Sequence, residues 1–376
     1  MSTPARLLEI LAAQGAVTAG WEDTVGAVRR ELFLPDTIEA GGSMISRAEN
    51  PEQWLAAVYD DLQIITQVND GLETPEGTYQ LPTSSSSMPS IMLEMLELLE
   101  VREGQRVLEL GAATGYNAAW LAHRLGSDRV TSIDLDPVLA RQAAKNLDAA
   151  GFHPQVVCGL GEYGRPDGAP YDRIVATYTV PEIPYAWVEQ APAGRIVAPW
   201  GGSFFPYSFA VLDVADGEAH GRFTGYPAFM RTRRNRPQRG YLADFLHHRE
   251  EAVESRTDLS PLTFDGDPDA LFFIGLDLPD AWHLRVDADT GSNDSGGEAT
   301  FWILADDRRS WAAADHVPGA EEYVVTQYGP RSLWDEVERS YRRWEERGRP
   351  ERDRAGLSVT RSGEQVWLDT PGSVVP

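Results

Sequence analysis

Hydrophobic and polar positions change their rhythm twice along the chain. Near the N-terminus, Leu7, Leu8, Ile10 and Leu11 share one helical face, and helical patterns follow at Thr24 to Leu32 and at Pro51 to Asp60 around Trp54. From Arg106, apolar runs of strand length alternate with longer amphipathic segments: RVLEL, a helix from about Asn117, RVTSIDL, a helix from Pro137 to Ala150, then PQVVCG. DRIVATY, a short helical stretch at Ala186 to Gln190, GRIVAPW and FAVLDV continue the series. Short apolar strands separated by helices predict parallel βαβ units in an α/β fold.

After about Met230 the alternation stops. An arginine cluster leads into the strand-like runs LFFIGL, TFWILA and YVVTQY, with 290–297 as a polar turn or loop. Leu333, Val337, Tyr341 and Trp344 lie at helical spacing between Ser332 and Arg347, and GLSVTRSGEQVWLD reads as two strands joined through Ser362-Gly363. The pattern predicts three regions: an N-terminal helical cap over 1–100, an α/β core over 101–235, and an α+β accessory domain over 236–376.

Composition narrows the partners. The 376 residues carry 33 Lys and Arg against 58 Asp and Glu, a formal charge of −25. Such a surface repels phosphate backbones and anionic lipid, so neither nucleic acid nor membrane is expected as a partner. Cys158 is the single cysteine, which excludes an intramolecular disulfide and a cysteine-rich zinc site. The seven histidines, including the pair His247-His248, show no metal-ligand spacing, and no metal is expected. The N-terminal stretch lacks a charged leader with a long apolar run, and no run of about 18 apolar residues occurs, so a cytoplasmic location is expected.

The sharpest chemical signal is RVLELGAATGYNAAWLAHRLG followed by RVTSIDLD. In doubly wound folds, ligands sit beyond the carboxyl ends of the strands, which places a nucleoside ligand at this turn. A dinucleotide fingerprint needs glycine at positions 111, 113 and 116, and only Gly111 qualifies. The pattern is instead an acid, Glu109, then Gly111 and Gly115. It suits S-adenosyl-L-methionine, which has no pyrophosphate but needs close approach of backbone. Asp134 ends the second strand, where a carboxylate can accept hydrogen bonds from both ribose hydroxyls. The plainer alternative is that the glycines only permit a tight turn and Asp134 is a solvated loop acid. No G-x-S-x-G elbow is present, which disfavours serine-hydrolase chemistry.

These residues resemble the protein-L-isoaspartate O-methyltransferase family over roughly residues 5 to 235. VRRELFLPD, YDDLQI, TSSSSMPSIMLEMLELLEV, VLELGAATGYNAAWLA, YDRIVATYTVPEIP and GRIVAPWGG are each similar to a family segment. The resemblance implies a class I, Rossmann-like S-adenosyl-L-methionine-dependent methyltransferase, with S-adenosyl-L-homocysteine as product. It implies a cofactor site of Ser86, Ser87, Glu109, Gly111, Ala112, Ala113, Thr114, Gly115, Asp134, Leu135, Gly159, Leu160 and Gly161. Ser87, with Thr177 and Thr179 behind it, is the expected group that positions the acceptor carboxylate. The serines could instead merely cap the helix starting near Pro89.

Three positions depart from the family pattern and weaken the case for its usual isoaspartate specificity. Gly159-Leu160-Gly161 replaces Gly-Asp-Gly, Ser90 stands where Tyr or His is usual, and Thr177-Tyr178-Thr179 replaces an alanine-rich loop. The C-terminal extension resembles that of a subgroup found with ribosomally made, modified peptides. That likeness implies methylation of an L-aspartate side chain in a peptide of the graspetide, lanthipeptide or lasso type, followed by aspartimide formation. The accessory domain is expected to select the peptide, and a precursor cyclised beforehand is expected because an enzyme that methylated every flexible aspartate would damage its host. The rivals are isoaspartate repair and a non-catalytic peptide-binding component of a maturation complex. Arg231, Arg233, Arg234, Arg236 and Arg239 read either as salt bridging to an acidic surface or as a dock for an acidic peptide.

Overall fold

The first hundred residues carry a sheet as well as helices. The computed structural model describes residues 3–18, 20–75, 77–234, 236, 241–246, 248–288 and 297–375. Arg239, His247 and residues 290–296 of the expected polar turn lie outside them. Helices α1 (Pro4–Ala13), α2 (Glu22–Ala27) and α3 (Pro51–Val58) accompany strands β1 (Thr37–Ala40), β2 (Ser43–Ser46), β3 (Ile64–Val68) and β4 (Pro82–Ser86), before α4 (Pro89–Leu99). The strands form an antiparallel sheet in the order β2-β1-β3-β4.

This sheet corrects the expected purely helical cap, and its physical signals were local. β1 and β2 turn on Gly41-Gly42, both at positive φ (56° and 75°), the backbone that a tight two-residue hairpin requires. β4 reads PTSSS and has no apolar alternation to betray it. The cap of α4 also differs from expectation. Neither Ser86 nor Ser87 caps it; Asp61 Oδ1 accepts the Ser90 N–H at 2.8 Å.

The α/β core follows the expected order: β5 (Val107–Leu110), α5 (Tyr116–Leu125), β6 (Val130–Asp134), α6 (Pro137–Ala149), β7 (Gln155–Cys158), β8 (Arg173–Ala176), α7 (Tyr185–Gln190) and β9 (Arg195–Trp200). β10 (Ser208–Ala215) and β11 (Glu218–Thr224) extend it antiparallel. β5 pairs in parallel with β6 and with β8, which makes the carboxyl end of β5 the switch point where a crevice opens.

The remaining elements are β12 (Val253–Thr257), α8 (Pro268–Asp277), β13 (Ala281–Asp287), β14 (Ala299–Ala305), β15 (Trp311–His316), β16 (Tyr323–Tyr328), α9 (Leu333–Glu346), β17 (Ala355–Thr360) and β18 (Gly363–Leu368). LFFIGL, expected as a strand, is the body of α8. Asp267 caps it by accepting the N–H groups of Asp269 and Ala270, and Pro268 occupies its first turn. A buried apolar run carries no periodicity that separates helix from strand. β12 to β16 form an antiparallel five-stranded sheet, in the order β12-β16-β15-β14-β13.

The last hairpin does not stay with that unit. β17 pairs with β11, so the main sheet runs β18-β17-β11-β10-β9-β8-β5-β6-β7. A boundary at 235/236 therefore does not divide the strands by sheet. Period-two alternation along the central strands explains how both faces are covered. Val107, Val175, Val197 and Phe209 face the N-terminal helices with α4 and α5. Leu108, Ile174, Ile196 and Ala210 share one continuous apolar core with Phe272, Ile274, Trp334 and Tyr341 of the extension. The extension thus closes the second face of the central sheet.

Candidate functional site

Backbone geometry at the end of β5 sets the site. Gly111 sits at φ 104°, and a Cβ there would overlap Thr177 Oγ1, so only glycine fits. The Gly111 and Ala112 N–H groups donate to the Ile133 carbonyl at 2.8 and 3.0 Å, and tie the loop to β6. Ala113 is also at positive φ (46°), and its N–H donates to Asp134 Oδ2 at 2.8 Å. The Asp136 N–H donates to Asp134 Oδ1 at 2.9 Å. Each Asp134 oxygen thus holds one protein donor and keeps acceptor capacity for a ligand. Burial pushes the Asp134 pKa up, opposed by those two backbone donors.

The loop opens into a cleft of about 910 Å³. Ser86, Ser87, Gly111, Ala112, Ala113, Thr114, Asp134, Leu135, Leu160, Gly161 and Thr177 all line it, as expected. Leu135 and Leu160 are each 41% exposed although they belong to this recess, an apolar surface suited to a flat ring. Tyr178 packs close to Gly161, where a Cβ would collide with its hydroxyl. Trp187 Nε1 donates to the Gly161 carbonyl at 2.8 Å and fixes the same turn. Acid at Asp134, backbone approach at the glycines and bare leucine faces fit an adenosine with a methionine tail.

Four expected site residues do not line the cleft. Glu109 is fully buried beneath the loop, where its carboxylate accepts from Asn117 Nδ2 at 2.7 Å and from the Ser132 hydroxyl. Burial pushes its pKa up to about 7. It braces α5 against β6 instead of meeting a ligand. Gly115 caps α5 at φ 86° and faces α6. The Gly159 N–H donates to the Asp134 carbonyl at 2.9 Å, a turn-forming role. Thr179 is buried and donates to the Phe229 carbonyl at 3.2 Å. Thr177 lines the cleft, yet its hydroxyl donates to the Gly111 carbonyl at 2.7 Å and so clamps the glycine loop. Of the three expected positioning hydroxyls, Ser87 remains: it lines the cleft, and no hydrogen bond among the described residues engages its Oγ.

Sequence reasoning missed Arg30, which organises the serine segment. It is wholly buried, and its guanidinium donates to the carbonyls of Val58, Asp60, Leu62, Ser86 and Ser87 and to Ser86 Oγ. Desolvation lowers its pKa to about 10. A planar fork of five donors suits five convergent carbonyls, which a lysine could not match. Its neighbour Arg29 is exposed, and nothing in VRRELFLPD separates the two.

The arginine cluster falls on the segment that walls the cleft opposite the glycine loop. Arg233 Nε lies 3.1 Å from Asp70, and its Nη1 lies 3.1 Å from Asp136, the residue that caps α6. Arg236 pairs with Asp70 at 2.7 Å, Arg234 pairs with Glu162, and Arg231 bonds to Ser203. Salt bridging describes Arg233, Arg234 and Arg236, and Arg231, Arg233 and Arg234 also line the cleft. Trp334, Trp344 and Trp367 are core residues. Among the described residues, one exposed set, His248, Glu250 and Glu251, brings candidate metal-ligand atoms within 4.8 Å of one another. No helix is long and apolar enough to cross a membrane, among the described residues.

The C-terminal hairpin contributes to the same cleft, through residues that no sequence pattern singles out. Val359, Thr360, Arg361, Gly363 and Glu364 line it together with residues 180–187, the loop before α7 and its first turn. Glu364 accepts from the Ile183 N–H at 2.9 Å and from Trp200 Nε1 at 3.0 Å.

Known proteins share this frame. The protein-L-isoaspartate O-methyltransferase of Methanopyrus kandleri is 38% identical over 148 residues, 38% of this chain and 66% of that protein. The enzyme of the same name from Hyperthermus butylicus is 35% identical over 147 residues, 36% of this chain and 61% of its own length. The chain thus spans less than two thirds of either relative. A solved protein-L-isoaspartate O-methyltransferase superposes with a TM-score of 0.54 at 21% identity, over 98% of this chain and all of the other, a likeness of fold. The family model for protein-L-isoaspartate(D-aspartate) O-methyltransferase, PCMT, matches residues 6–211, more than half of the chain, and the chain belongs to that family.

Proposed function

We propose that the chain is an S-adenosyl-L-methionine-dependent carboxyl O-methyltransferase. Its acceptor is the side-chain carboxylate of an L-aspartate in a ribosomally made, modified peptide, cyclised beforehand, of the graspetide, lanthipeptide or lasso type. Family membership and the make-up of the cleft support the methyltransferase reading. One observation carries the departure from the family's usual substrate: Val359, Thr360, Arg361, Gly363 and Glu364, beyond the stretch 6–211 that the family model matches, line the cleft. A site walled in part by residues outside that stretch is suited to an acceptor that the stretch alone does not select.

The chemistry asks little acid or base help of the protein. When bound, the cofactor supplies a methyl group on a sulfonium. An aspartate carboxylate, with an unperturbed pKa of about 3.9, is already ionised at neutral pH, so no general base is needed. The chain's residues must dehydrate the carboxylate and hold one oxygen about 3 to 3.5 Å from the methyl carbon. We assign orientation of that carboxylate to the Ser87 hydroxyl, on a loop whose backbone Arg30 fixes. We assign the cofactor's ribose to Asp134, its methionine portion to the glycine loop at 111–114 with Ser86, and its adenine to Leu135, Leu160 and Gly161. In the methyl ester, the following backbone nitrogen attacks the ester carbonyl, forms a C–N bond and expels methanol, which leaves a five-membered aspartimide.

A second reading, isoaspartate repair, is favoured by the names of the relatives above. Intact mass spectrometry separates the two. A modified precursor peptide, linear and cyclised, and an isoaspartyl peptide are incubated with protein and S-adenosyl-L-methionine. Gain of a methyl mass and then loss of methanol, on the cyclised precursor alone, supports the aspartate reading. Methylation of the isoaspartyl peptide alone overturns it in favour of repair.

A further inference from the structure

Glu364 is a carboxylate in the wall of the acceptor half of the cleft, set in apolar surroundings between Ile183 and Trp200. It lies on β18, on the hairpin that the family match leaves out. Trp200 itself packs against Phe223, with ring centroids 4.7 Å apart and planes tilted by 42°, and so offers a rigid donor. No arginine, lysine or histidine of the described residues forms an ion pair with Glu364, and the charge of another acid, Glu182, opposes its ionisation. A half-buried carboxyl without a counter-ion is costly unless hydrogen bonds satisfy it.

Its two protein donors satisfy it only in part. Each oxygen receives one N–H, whereas an ionised carboxylate offers about four acceptor positions. The unfilled positions belong to a residue that lines the cleft. We propose that Glu364 is a specificity-determining residue of the acceptor site, which accepts a hydrogen bond from a backbone N–H of the substrate peptide beside the methylated carboxylate. The inference rests on the reading of this cleft as a peptide carboxylate site, and it names the feature of the peptide that is read. Burial raises the pKa of the group to about 7, so an N–H donor also replaces the proton that the isolated site takes up in mild acid. Hydroxyl-bearing or esterified acceptors without a neighbouring N–H lack this contact.

The test uses the full chain saturated with S-adenosyl-L-homocysteine, and calorimetry with linear and head-to-tail cyclised hexapeptides that carry one internal aspartyl or isoaspartyl residue. Each peptide is also made with the amide nitrogen after that residue methylated, and with the amide before it methylated. Methylation of one of these two nitrogens is expected to weaken binding to the unaltered protein about tenfold, the usual range for a hydrogen bond to a charged group. Glu364→Gln is expected to weaken the parent peptide by a similar factor and to leave the affected N-methyl peptide unchanged. S-Adenosyl-L-homocysteine affinity is expected to stay the same in Glu364→Gln, which also reports that the variant is folded. Equal affinity of parent and both N-methyl peptides for the unaltered protein overturns the inference without any variant. Equal losses in Glu364→Gln for parent and N-methyl peptides overturn it too, because they describe a residue that only links β18 to β9. Absence of binding by every peptide also overturns it. Binding without methyl transfer, once the methyl donor replaces the product, overturns the proposed activity and leaves this inference standing.

Discussion

The two halves of the cleft are built in different ways. In the proposed assignment the cofactor half comes mainly from neighbouring turns: residues 111–114 after β5, Asp134 and Leu135 after β6, and Leu160 with Gly161 after β7, with Ser86 beside them. The acceptor half then draws on segments far apart in the chain, at 87–88, 180–187, 228–234, 359–361 and 363–364. A site made of successive strand ends is fixed by the sheet, and its spacing is written into the chain. A site made of distant segments depends on long-range packing, so its chemistry can change by an added hairpin while the first half stays intact.

Several perturbations would break or sharpen that contrast. The largest effect is expected at Arg30, which serves both halves through the serine segment. Arg30→Met leaves five carbonyls, two of them fully buried, without their donor and should cost about 3 to 5 kcal/mol, read by urea denaturation. Gly111→Ala forces a side chain into Thr177 at a left-handed φ, and should weaken S-adenosyl-L-homocysteine binding by about a hundredfold or more. Peptide affinity should fall far less. Asp134→Asn keeps the shape but puts an amide NH₂ against a backbone donor at Ala113 or Asp136, with an expected loss of about tenfold in cofactor affinity by calorimetry.

A smaller effect should appear in pH dependence. Glu109 is raised from 4.5 to about 7 in the folded chain, so the folded state binds its proton more tightly than the unfolded state does. Its stabilisation is complete below the unfolded value and is lost as pH rises through about 7. Glu109→Gln, which mimics the protonated form, should remove on the order of 1 to 3 kcal/mol of the decline in stability between pH 5 and pH 8. Paired melting curves at the two pH values check it. The smallest effect is expected at the exposed Arg234 and Glu162 pair, where Arg234→Ala should change stability by less than about 0.5 kcal/mol.

The same division explains what could be read from the chain. The βαβ order, the glycine loop and Asp134 were legible because strand alternation and turn geometry are local constraints. Glu109 was legible as an acid at the end of β5 but not as a brace, since its partners Asn117 and Ser132 lie on α5 and β6 and only packing brings them together. Thr179 looked like a cleft hydroxyl by its place after β8, yet its backbone bridges to Arg231 and its side chain is held in the interior, donating to Phe229. α8 was misread because an apolar run buried on all sides has no period, although Asp267-Pro268 marked its start. The four-stranded N-terminal sheet was hidden by polar strands. The return of β17 and β18 to the main sheet, and Glu364 with them, had no sequence signal, because strand order across 130 residues is a tertiary fact.

The account's central claim is that one half of the cleft holds the cofactor and that the other, finished by the C-terminal hairpin, selects the acceptor. The most direct test is a crossed measurement of KM for methyl donor and for peptide in Asp134→Asn and in the hairpin double variant Arg361→Ala with Glu364→Gln. The account predicts that Asp134→Asn raises only the methyl-donor KM and that the hairpin variant raises only the peptide KM, each by about tenfold. Equal effects of either variant on both constants, or a hairpin variant indistinguishable from the unaltered protein, would contradict it.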